Sequence, residues 1–431
     1  MDGSAETGFS VNRHPINFLL ACCFALTMPA STAMADNHPG TSTSAFLSRH
    51  WQRPLQHQGE APASFPALEA SLDPRACGTC HPQQFQDWQG SLHAHAMGPG
   101  LLGQLMEMNP GDRAEHQACL YCHAPLAEQA DEVVAWLSGG KTGTGSPQEE
   151  TIPNGPLYNQ GLICAGCHLR NFQVHGPHRN KALPPSPPLA ENAHQPHNGW
   201  QPQDAFESSS FCAACHQFDA DGFALNGKLL ENTFEEWKAS PQAKEGKSCQ
   251  SCHMPDRRHL WRGIHDKATV QSAVKITLDE VKTNNDKVSG ILTLTSTEVG
   301  HRFPTYVTPR VVMEAIQLNS LSQQIPATRQ EQIVARQVSL DLSQELFDTR
   351  LAPGETARLD YQAPLHPEAK FILFQIQIEP DTFYRDFYRA TLNSGSSDKG
   401  AETLRLALQN AEASVYTLFR REIPLELDSE P

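Results

Sequence analysis

Between residue 268 and the C-terminus, apolar and polar positions alternate in a series of short segments. In residues 371–378, apolar side chains occupy every second position, and Gln375 and Gln377 stand between them. The same alternation runs through residues 274–278, 288–297, 310–318, 335–342 and 357–361. A period of two predicts strands with one buried face, and the stretches 284–286 and 352–354 are typical of turns. We therefore predict an antiparallel β-sandwich domain over residues 268–392.

The pattern changes in the last segment, residues 393–431, where apolar residues recur at intervals of three and four. They are Leu404, Leu408, Ala411, Val415, Leu418 and Phe419. This spacing is typical of a helix with one buried stripe. It predicts a C-terminal helix over residues 401–421, followed by a tail.

Near the N-terminus, residues 16–30 form a predominantly apolar run that follows Arg13 and precedes Ala33-Met34-Ala35. An apolar core of this length, with a basic residue before it and an A-x-A site after it, is typical of a secretory signal peptide. The run is too short for a membrane span, and no later stretch is long and apolar enough for one. We expect residues 1–35 to be removed and the protein to be periplasmic or extracellular.

The intervening residues, 36–267, show neither pattern. They contain few aliphatic runs, and the stretches 139–156 and 176–200 are rich in Pro and Gly. Such a composition would favour disorder in a chain that had nothing else to pack around. The same region holds ten of the 12 cysteines of the chain, which points to a core that the polypeptide does not supply alone.

Those ten cysteines belong to five copies of Cys-x-x-Cys-His, the attachment signature of c-type haem. The copies comprise Cys77, Cys80 and His81; Cys119, Cys122 and His123; Cys164, Cys167 and His168; Cys212, Cys215 and His216; and Cys249, Cys252 and His253. The two thiols bond to one porphyrin edge, and the histidine is the proximal iron ligand. A zinc knuckle or a redox dithiol does not require histidine after every second cysteine. The sequence therefore predicts five covalent haems c, which form the core of a mainly helical and irregular domain over residues 36–267.

The formal net charge of −15 narrows the range of partners. A negative surface disfavours binding to nucleic acid and to anionic membranes, and haem propionates add further negative charge. It favours contact with basic redox proteins. We therefore expect other redox proteins as electron donor and acceptor, and the sequence leaves the oligomeric state open.

Each iron needs a distal ligand unless it binds a small molecule at that position. After residue 35, fourteen histidines lie outside the motifs, and nine of them fall between residues 93 and 265. The candidate distal ligands are His93, His116, His178, His197 and His265, with His95, His175, His194, His259 and His301 as alternatives. His301 stands at the start of the predicted β-domain, where it would either dock that domain on a haem or bind iron. Imidazole is the expected donor, and the competing thioethers are Met97, Met106, Met108 and Met254.

One short segment occurs twice. The heptapeptide from Phe85 through Trp88 to Ser91 resembles the heptapeptide from Phe234 through Trp237 to Ser240. Each copy follows a haem motif and predicts a short amphipathic helix. His93 follows the first copy, but Gln242 occupies the corresponding position after the second. The two copies therefore cannot share a ligand role there, and two unrelated helices remain the alternative interpretation.

Three sequence features resemble the cytochrome c-554-like multihaem family, which is related to hydroxylamine-oxidation and nitrite-reducing multihaem proteins. They are Trp88-x-x-Ser91-x-His93-Ala94, Phe211-Cys-x-x-Cys-His-Gln-Phe218 and Cys249-Gln-Ser-Cys-His-Met-Pro255. The resemblance covers residues 71 to about 270, and Gly300-His301-x-x-Pro304-Thr305 is similar to the β-domain of some multihaem cytochromes. It implies an exported electron-transfer protein with closely stacked, mostly bis-His haems, and His93 as the distal ligand of a neighbouring haem. Typical c-554 proteins have four haems, so haem order is not carried over. Every site here ends in His, unlike the Cys-x-x-Cys-Lys site usual in pentahaem nitrite reductases.

Three function classes remain open. The first is an electron-transfer protein with five six-coordinate haems and no substrate pocket. The second is an oxidoreductase that acts on a small nitrogen or sulfur compound at one open haem, flanked by acid/base groups such as Tyr, His or Arg. The third is an assembly role, in which the cysteine-free β-domain binds a partner or builds a filament.

Overall fold

The structure, a computed structural model, describes residues 42–53, 55–109, 111–139, 156–179, 195–284 and 286–425. The predicted signal peptide, residues 1–35, and the candidate ligand His194 lie outside these ranges. Within the described ranges, no helix combines the length and the apolar character that crossing a membrane requires.

The first part of the described chain is built from short helices, as the haem motifs predict. They are α1 (Thr43–His50), α2 (Pro74–Cys80), α3 (Pro82–Gln89), α4 (Pro99–Glu107), α5 (Arg113–His123), α6 (Ala127–Leu137), α7 (Cys164–His168), α8 (Ala213–His216), α9 (Thr233–Lys238), α10 (Pro241–Lys244), α11 (Cys249–His253) and α12 (Lys267–Ala273). Short strands connect some of them: β1 (Leu169–Arg170), β2 (Gln173–Gly176), β3 (Trp200–Pro202), β4 (Ala224–Leu225) and β5 (Lys228–Leu229).

Local sequence explains where the motif helices begin. Asp73 caps α2 by accepting a hydrogen bond from the backbone N–H of Arg75 at 2.8 Å, and Pro74 occupies the first helical position. Ser248 caps α11 in the same way, through the N–H of Ser251 at 3.2 Å. Side-chain oxygens at such positions satisfy N–H groups that have no partner inside the helix. The caps therefore fix the start of the turn that presents the cysteines.

The polypeptide core of this part is divided into small clusters. One cluster joins Trp88 on α3 to Ile163 just before the third motif. Another joins Met97 to Leu105 on α4 and Leu120 on α5. Neither cluster is large, which agrees with the expectation that the polypeptide does not supply the whole core.

The second part contains antiparallel sheets. Its strands are β6 (Val274–Thr283), β7 (Lys287–Ser296), β8 (Arg310–Leu318), β9 (Gln330–Val338), β10 (Glu345–Asp348), β11 (Thr356–Pro364), β12 (Phe371–Glu379) and β13 (Tyr416–Pro424). Five strands form one sheet in the order β10-β9-β8-β12-β13, and three form another in the order β11-β7-β6. Helices α13 (Thr382–Asn393) and α14 (Ala401–Ala413) lie between β12 and β13 in sequence.

Both sheets contribute to one hydrophobic core. Leu292 and Leu294 of β7 belong to the same buried cluster as Met313 of β8 and Phe374 of β12. The ring of Tyr361 on β11 meets that of Phe374 edge-on, with centroids 6.0 Å apart. The prediction of a helical, irregular part followed by antiparallel β-structure is confirmed.

The C-terminal helix was predicted too long. It ends at Ala413, and Tyr416–Pro424 becomes strand β13, which pairs with β12. Leu418 and Phe419 fit a helical stripe, but they also lie in a run of β-branched and aromatic residues. In the fold, this run forms backbone hydrogen bonds with the free edge of β12. The stability of that strand pairing exceeds the local preference for a helix. Helix α13, within residues 268–392, was also not predicted.

Candidate haem sites

Each motif forms a helical turn, at the end of α2 or α5 or as a short helix of its own. Helix α7 consists of Cys164–His168 alone, and α11 of Cys249–His253 alone. In a helix, residues three and four positions apart lie on the same face. Each turn therefore directs two thiols and one imidazole to one side. None of the ten motif cysteines forms a disulfide within the described chain, so all ten are available for thioether bonds to haem.

The motifs are also brought close to one another. Helix α2 contacts α7, and α5 contacts α8. Three pairs of thiols from different motifs lie close enough for each member to influence the pKa of the other: Cys77 with Cys164, Cys122 with Cys215, and Cys212 with Cys249. The backbone N–H of Cys249 also donates to the hydroxyl of Ser209 at 2.9 Å, which ties the fifth motif to the segment before the fourth. Each cysteine of the fourth motif thus neighbours a cysteine of another motif.

Three motif histidines use the same ring nitrogen to bond to the backbone. Nδ1 of His123 lies 2.7 Å from the carbonyl of Ala96. Nδ1 of His168 and of His253 lie 2.9 Å and 2.8 Å from the carbonyls of other residues. A carbonyl only accepts, so Nδ1 carries the proton and Nε2 keeps a free lone pair. This is the arrangement by which proteins orient a metal-binding imidazole.

Two histidines outside the motifs share this arrangement. Nδ1 of His259 lies 3.1 Å from the carbonyl of Arg257, and Nδ1 of His301 lies 2.9 Å from the carbonyl of Arg302. Both were only alternative candidates in the sequence. Their Nε2 atoms therefore have the same free lone pair as those of the motif histidines.

Three pairs of rings, each with one motif member, stand at closely similar distances. The centroid separations are 6.3 Å for His93 and His216, 6.1 Å for His168 and His259, and 6.4 Å for His253 and His301. Metal–imidazole bonds are about 2 Å long, so one metal ion between two imidazoles holds their centroids about 6 Å apart. Each pair therefore fits a single iron ion with two axial imidazoles.

Two of the paired histidines outside the motifs, His93 and His301, are held in the neutral form that metal binding needs. Burial lowers the pKa of His93 to about 3 and that of His301 to about 4. Nδ1 of His93 is buried without a hydrogen-bond partner in the described chain. These features fit residues that face a bound group rather than water.

For the histidine of the first motif, His81, no ring contact among the described residues identifies a second imidazole, but His197 lies close enough to influence its pKa. Burial lowers the pKa of His81, and the nearby charge of His197 lowers it further. Glu69 accepts a hydrogen bond from the N–H of His197 at 2.6 Å, and its carboxylate lies 3.8 Å from Nδ1 of the same residue. His197 is held in the left-handed region, with φ of 56°. A bulky residue in this conformation is held there by its surroundings.

Other sequence candidates are placed differently. Nε2 of His178 pairs with Asp204 at 3.0 Å, and Nε2 of His265 pairs with Asp381 at 2.9 Å. His95 is exposed. His116 is fully buried in α5, one turn before Cys119, with neither ring nitrogen hydrogen-bonded in the described chain. His175 lies on β2, where its carbonyl accepts from His168 and its ring meets that of His50 edge-on at 5.8 Å.

The sequence alone does not identify three residues that hydrogen-bond to a motif residue, to a candidate iron ligand or to its neighbour. Asp87 accepts from the N–H of His259 at 3.0 Å and from the guanidinium of Arg258 at 2.6 Å. Glu236 accepts from the N–H of Arg302 at 3.1 Å, next to His301. Buried His50 donates through Nε2 to the carbonyl of Cys167 at 2.8 Å. None of these three residues belongs to a haem motif, so no sequence pattern identifies them.

The two copies of the Phe-x-x-Trp-x-x-Ser segment form the same set of indole and backbone hydrogen bonds, called the tryptophan frame below. The indole N–H of Trp88 donates to the carbonyl of Leu162 at 2.7 Å, and the N–H of Leu162 donates to the carbonyl of His93 at 2.8 Å. In the second copy, Trp237 donates to the carbonyl of Lys247 at 2.9 Å. The N–H of Lys247 donates to the carbonyl of Gln242, also at 2.9 Å. Leu162 and Lys247 each stand two residues before a motif cysteine, so the two copies share one hydrogen-bond pattern, which favours a true repeat over two ordinary amphipathic helices.

Comparison with known proteins agrees with this geometry. Residues 76–139, which include the first two motifs, match the family described as cytochrome c554 and c-prime. The fold is similar to that of a penta-haem cytochrome c552 from Thermochromatium tepidum, with a TM-score of 0.55 and 18% identity. That match covers 84% of this chain and 100% of the other. No curated protein matches the chain. The resemblance to multihaem c-type cytochromes is confirmed.

Proposed function

We propose that the protein is an exported pentahaem c-type cytochrome that transfers electrons between redox partners through closely spaced haems. The observation that carries the proposal is the set of three ring pairs, each with a motif histidine and centroids 6.1 to 6.4 Å apart. Two strong-field imidazoles on one iron favour electron transfer over ligand binding, because no axial position remains open. The protein then sets the potentials by burial and hydrogen bonding.

The proposed distal ligands are His93 for the fourth haem, His259 for the third, His301 for the fifth and His197 for the first. His178 and His265 are not retained, because their Nε2 atoms are engaged by carboxylates. His116, which is fully buried and has no hydrogen bond to either ring nitrogen in the described chain, is left without an assigned iron. His95 is exposed and His175 contacts His50, so neither is assigned an iron.

The neighbouring thiols suggest a branched path for electrons. A thioether bond places each sulfur at the edge of its porphyrin, so neighbouring cysteines of two motifs would bring two haem edges close together. Cys215 of the fourth motif neighbours Cys122 of the second, and Cys212 neighbours Cys249 of the fifth, because in each pair the second cysteine raises the pKa of the first. Cys167 of the third motif also raises the pKa of both Cys212 and Cys215. The fourth haem would then be the junction of the network.

The remaining parts of the proposal come from the sequence. Residues 1–35 would direct export, with periplasmic or extracellular location, and residues 36–267 and 268–392 would be the haem and β-domains.

Arg336, which is 1% exposed, pairs with Glu345 and donates to the carbonyls of Leu229 and Lys228. This contact fixes the hairpin of β4 and β5 against β9 and β10. The β-part thereby supports the haem part directly.

Ligand replacement tests the proposal. His93→Ala and His301→Ala should each leave all haems attached but convert one from low-spin to high-spin, because one axial imidazole is lost. His265→Ala and His178→Ala are the matched controls and should keep the wild-type spin states. Electron paramagnetic resonance and visible spectra of the holoprotein measure both. High-spin haem in the two controls, with none in the first pair, would show that the assignment is inverted.

A further inference from the structure

The stretch from His259 to Arg262, called the linking segment below, contacts ligands of the third, fourth and fifth haems. His259 is the proposed distal ligand of the third haem, and the ring of Trp261 contacts that of His93, the proposed distal ligand of the fourth. The N–H of Trp261 donates to the carbonyl of His253 at 2.9 Å, and Nδ1 of His253 donates to the carbonyl of Arg262 at 2.8 Å. Four consecutive residues therefore meet three haem sites.

One side chain in this segment contacts two proposed distal imidazoles at once. The ring of Trp261 meets that of His93 with centroids 4.8 Å apart and planes at 69°. It meets the ring of His259 with centroids 5.0 Å apart and planes at 87°. Both are edge-to-face contacts, which aromatic rings prefer because the positive edge of one ring faces the negative face of the other. A rotation of either imidazole plane would disturb its contact with Trp261.

Neighbouring residues of α3 hold the backbones of the same two histidines. Asp87 accepts a hydrogen bond from the N–H of His259 at 3.0 Å. Trp88 acts through Leu162, because its indole donates to the carbonyl of Leu162, whose N–H in turn donates to the carbonyl of His93. These bonds fix where each ligand backbone lies, but they do not fix the rotation of its ring.

The two imidazoles differ in what else restrains their rings. Nδ1 of His259 lies 3.1 Å from the carbonyl of Arg257, whereas Nδ1 of His93 is buried without a hydrogen-bond partner in the described chain. A hydrogen bond at the second ring nitrogen ordinarily orients a metal-binding histidine. For His93, the contact with Trp261 takes the place of that bond. The orientation of His93 therefore depends on Trp261 more strongly than that of His259 does.

The position of Trp261 is itself fixed by the surrounding chain. Its φ is 41°, in the left-handed region that bulky residues rarely adopt. Such a conformation persists where surrounding contacts impose it, and the two hydrogen bonds between the linking segment and His253 do so here. The side chain also packs against the cluster that contains Trp88 and Ile163. The indole is therefore a fixed surface against which both imidazoles are oriented.

The angles within the three ring pairs agree with this role. The two imidazole planes are 51° apart in the pair of the fourth haem and 33° apart in that of the third. In the pair of the fifth haem they are only 12° apart, and among the described residues neither of its rings contacts Trp261. The two pairs that meet Trp261 are thus the two whose planes are rotated away from parallel.

We infer that Trp261 is a positioning residue that sets the ring orientation of both His93 and His259, the distal ligands of the fourth and third haems. The inference rests on the axial pairs of the proposed function. The overlap of an imidazole with the iron d orbitals depends on the orientation of its ring, so a group that orients the ligand also tunes the haem. One side chain thereby tunes two neighbouring haems of the proposed electron path together.

Electron paramagnetic resonance of the oxidised holoprotein tests this role, because the g values of a low-spin haem depend on the angle between its axial imidazole planes. His93→Ala and His259→Ala should each remove one low-spin signal, which identifies the signals of the fourth and third haems. Trp261→Leu should retain five haems and shift the largest g value of both signals, that of the fourth haem further. Trp261→Phe keeps a ring edge and should bring both signals back toward the wild type. Trp136→Leu is the matched control, since the ring of Trp136 stacks on Tyr158 with centroids 5.8 Å apart, and it should leave both signals unchanged.

Three results would overturn the inference while leaving the proposed function intact. They are unchanged signals in Trp261→Leu, equal shifts in Trp261→Leu and Trp136→Leu, and a shift in Trp261→Phe as large as that in Trp261→Leu. If Trp261→Leu does not assemble with five haems, Trp261→Met takes its place with the same expectations, because methionine fills more of the volume without a ring. If neither histidine variant loses a low-spin signal, the axial pairs are wrong, and the proposed function is rejected together with the inference.

Discussion

Arg350 provides the most direct test of how the two parts of the protein hold together. Its side chain is 4% exposed and binds Asp348 through two nitrogens, at 2.9 and 3.0 Å. A third nitrogen binds Glu236 on α9 at 3.0 Å, and the carboxylate of Glu236 also accepts a hydrogen bond from the N–H of Arg302, the residue after His301. Replacement by methionine keeps most of the volume but leaves two buried carboxylates without this partner.

The expected loss of stability follows from those contacts. Removing one member of a buried ion pair typically costs about 3 to 5 kcal/mol, because the remaining charge stays buried. Lys228 still pairs with Asp348 at 2.7 Å in the variant, so the cost of Arg350→Met should lie near the lower end. Urea unfolding of the holoprotein, followed by far-ultraviolet circular dichroism, measures the change in the free energy of unfolding.

A matched surface pair serves as the control. Arg358 and Asp360 are also two positions apart on a strand, but their side chains are 52% and 62% exposed. Exposed pairs contribute little because water and salt screen them. Arg358→Met should therefore leave the unfolding midpoint almost unchanged. Equal shifts for the two variants would refute the argument that burial of the Arg350 network stabilises the junction.

Two further predictions concern acid stability and haem content. The guanidinium of Arg258 holds the pKa of Asp87 at about 2, against 3.8 for a free aspartate. A lowered carboxyl pKa adds stability that is complete above pH 3.8 and is lost as the pH falls toward 2. Acid titration of the wild type between pH 4 and pH 2 should reveal this loss, and Asp87→Asn should lack it; identical acid transitions would contradict the assignment. Separately, mass spectrometry of the mature protein should give an N-terminus near Asp36 and the mass of five haems, and four or fewer haems would reject the count.

The sequence predicted the features that depend on short-range patterns. The strand Arg310–Leu318 was predicted with the bounds that the structure gives it, and Phe371–Glu379 was one residue longer than predicted. These strands are recognisable because β-branched and other apolar residues dominate them, and β8 is buried on both faces. The motif positions were equally accessible, because covalent haem attachment requires a fixed spacing within one helical turn.

The features that the sequence did not predict depend on long-range contacts. Tyr416–Pro424 forms a strand because it pairs with the edge of β12, although the spacing of its apolar residues also fits a helix. His259 and His301 were alternatives and not first candidates, because nothing local marks them. What distinguishes them is the carbonyl bonded to Nδ1 and the motif ring opposite, and the fold alone brings these together. Conversely, proximity in sequence favoured His178 and His265, whose Nε2 atoms meet carboxylates.

The repeated tryptophan frame gives a physical reason for the β-part to contribute a ligand. In the first copy, the chain after Trp88 carries His93 at the position opposite His216. In the second copy, that position is Gln242, which cannot serve as an imidazole ligand. Gly300 lies against both Trp237 and Gln242, so the next residue, His301, enters beside the frame from the β-part.

The fifth haem would therefore acquire its second axial ligand only when the β-part is docked. The contacts of Glu236 with Arg302 and Arg350 hold that docking in place, at 3.1 and 3.0 Å. On this reasoning, the β-structure completes one haem environment, because it brings an imidazole to the fifth haem through His301. Loosening the junction should then alter the fifth haem before the others.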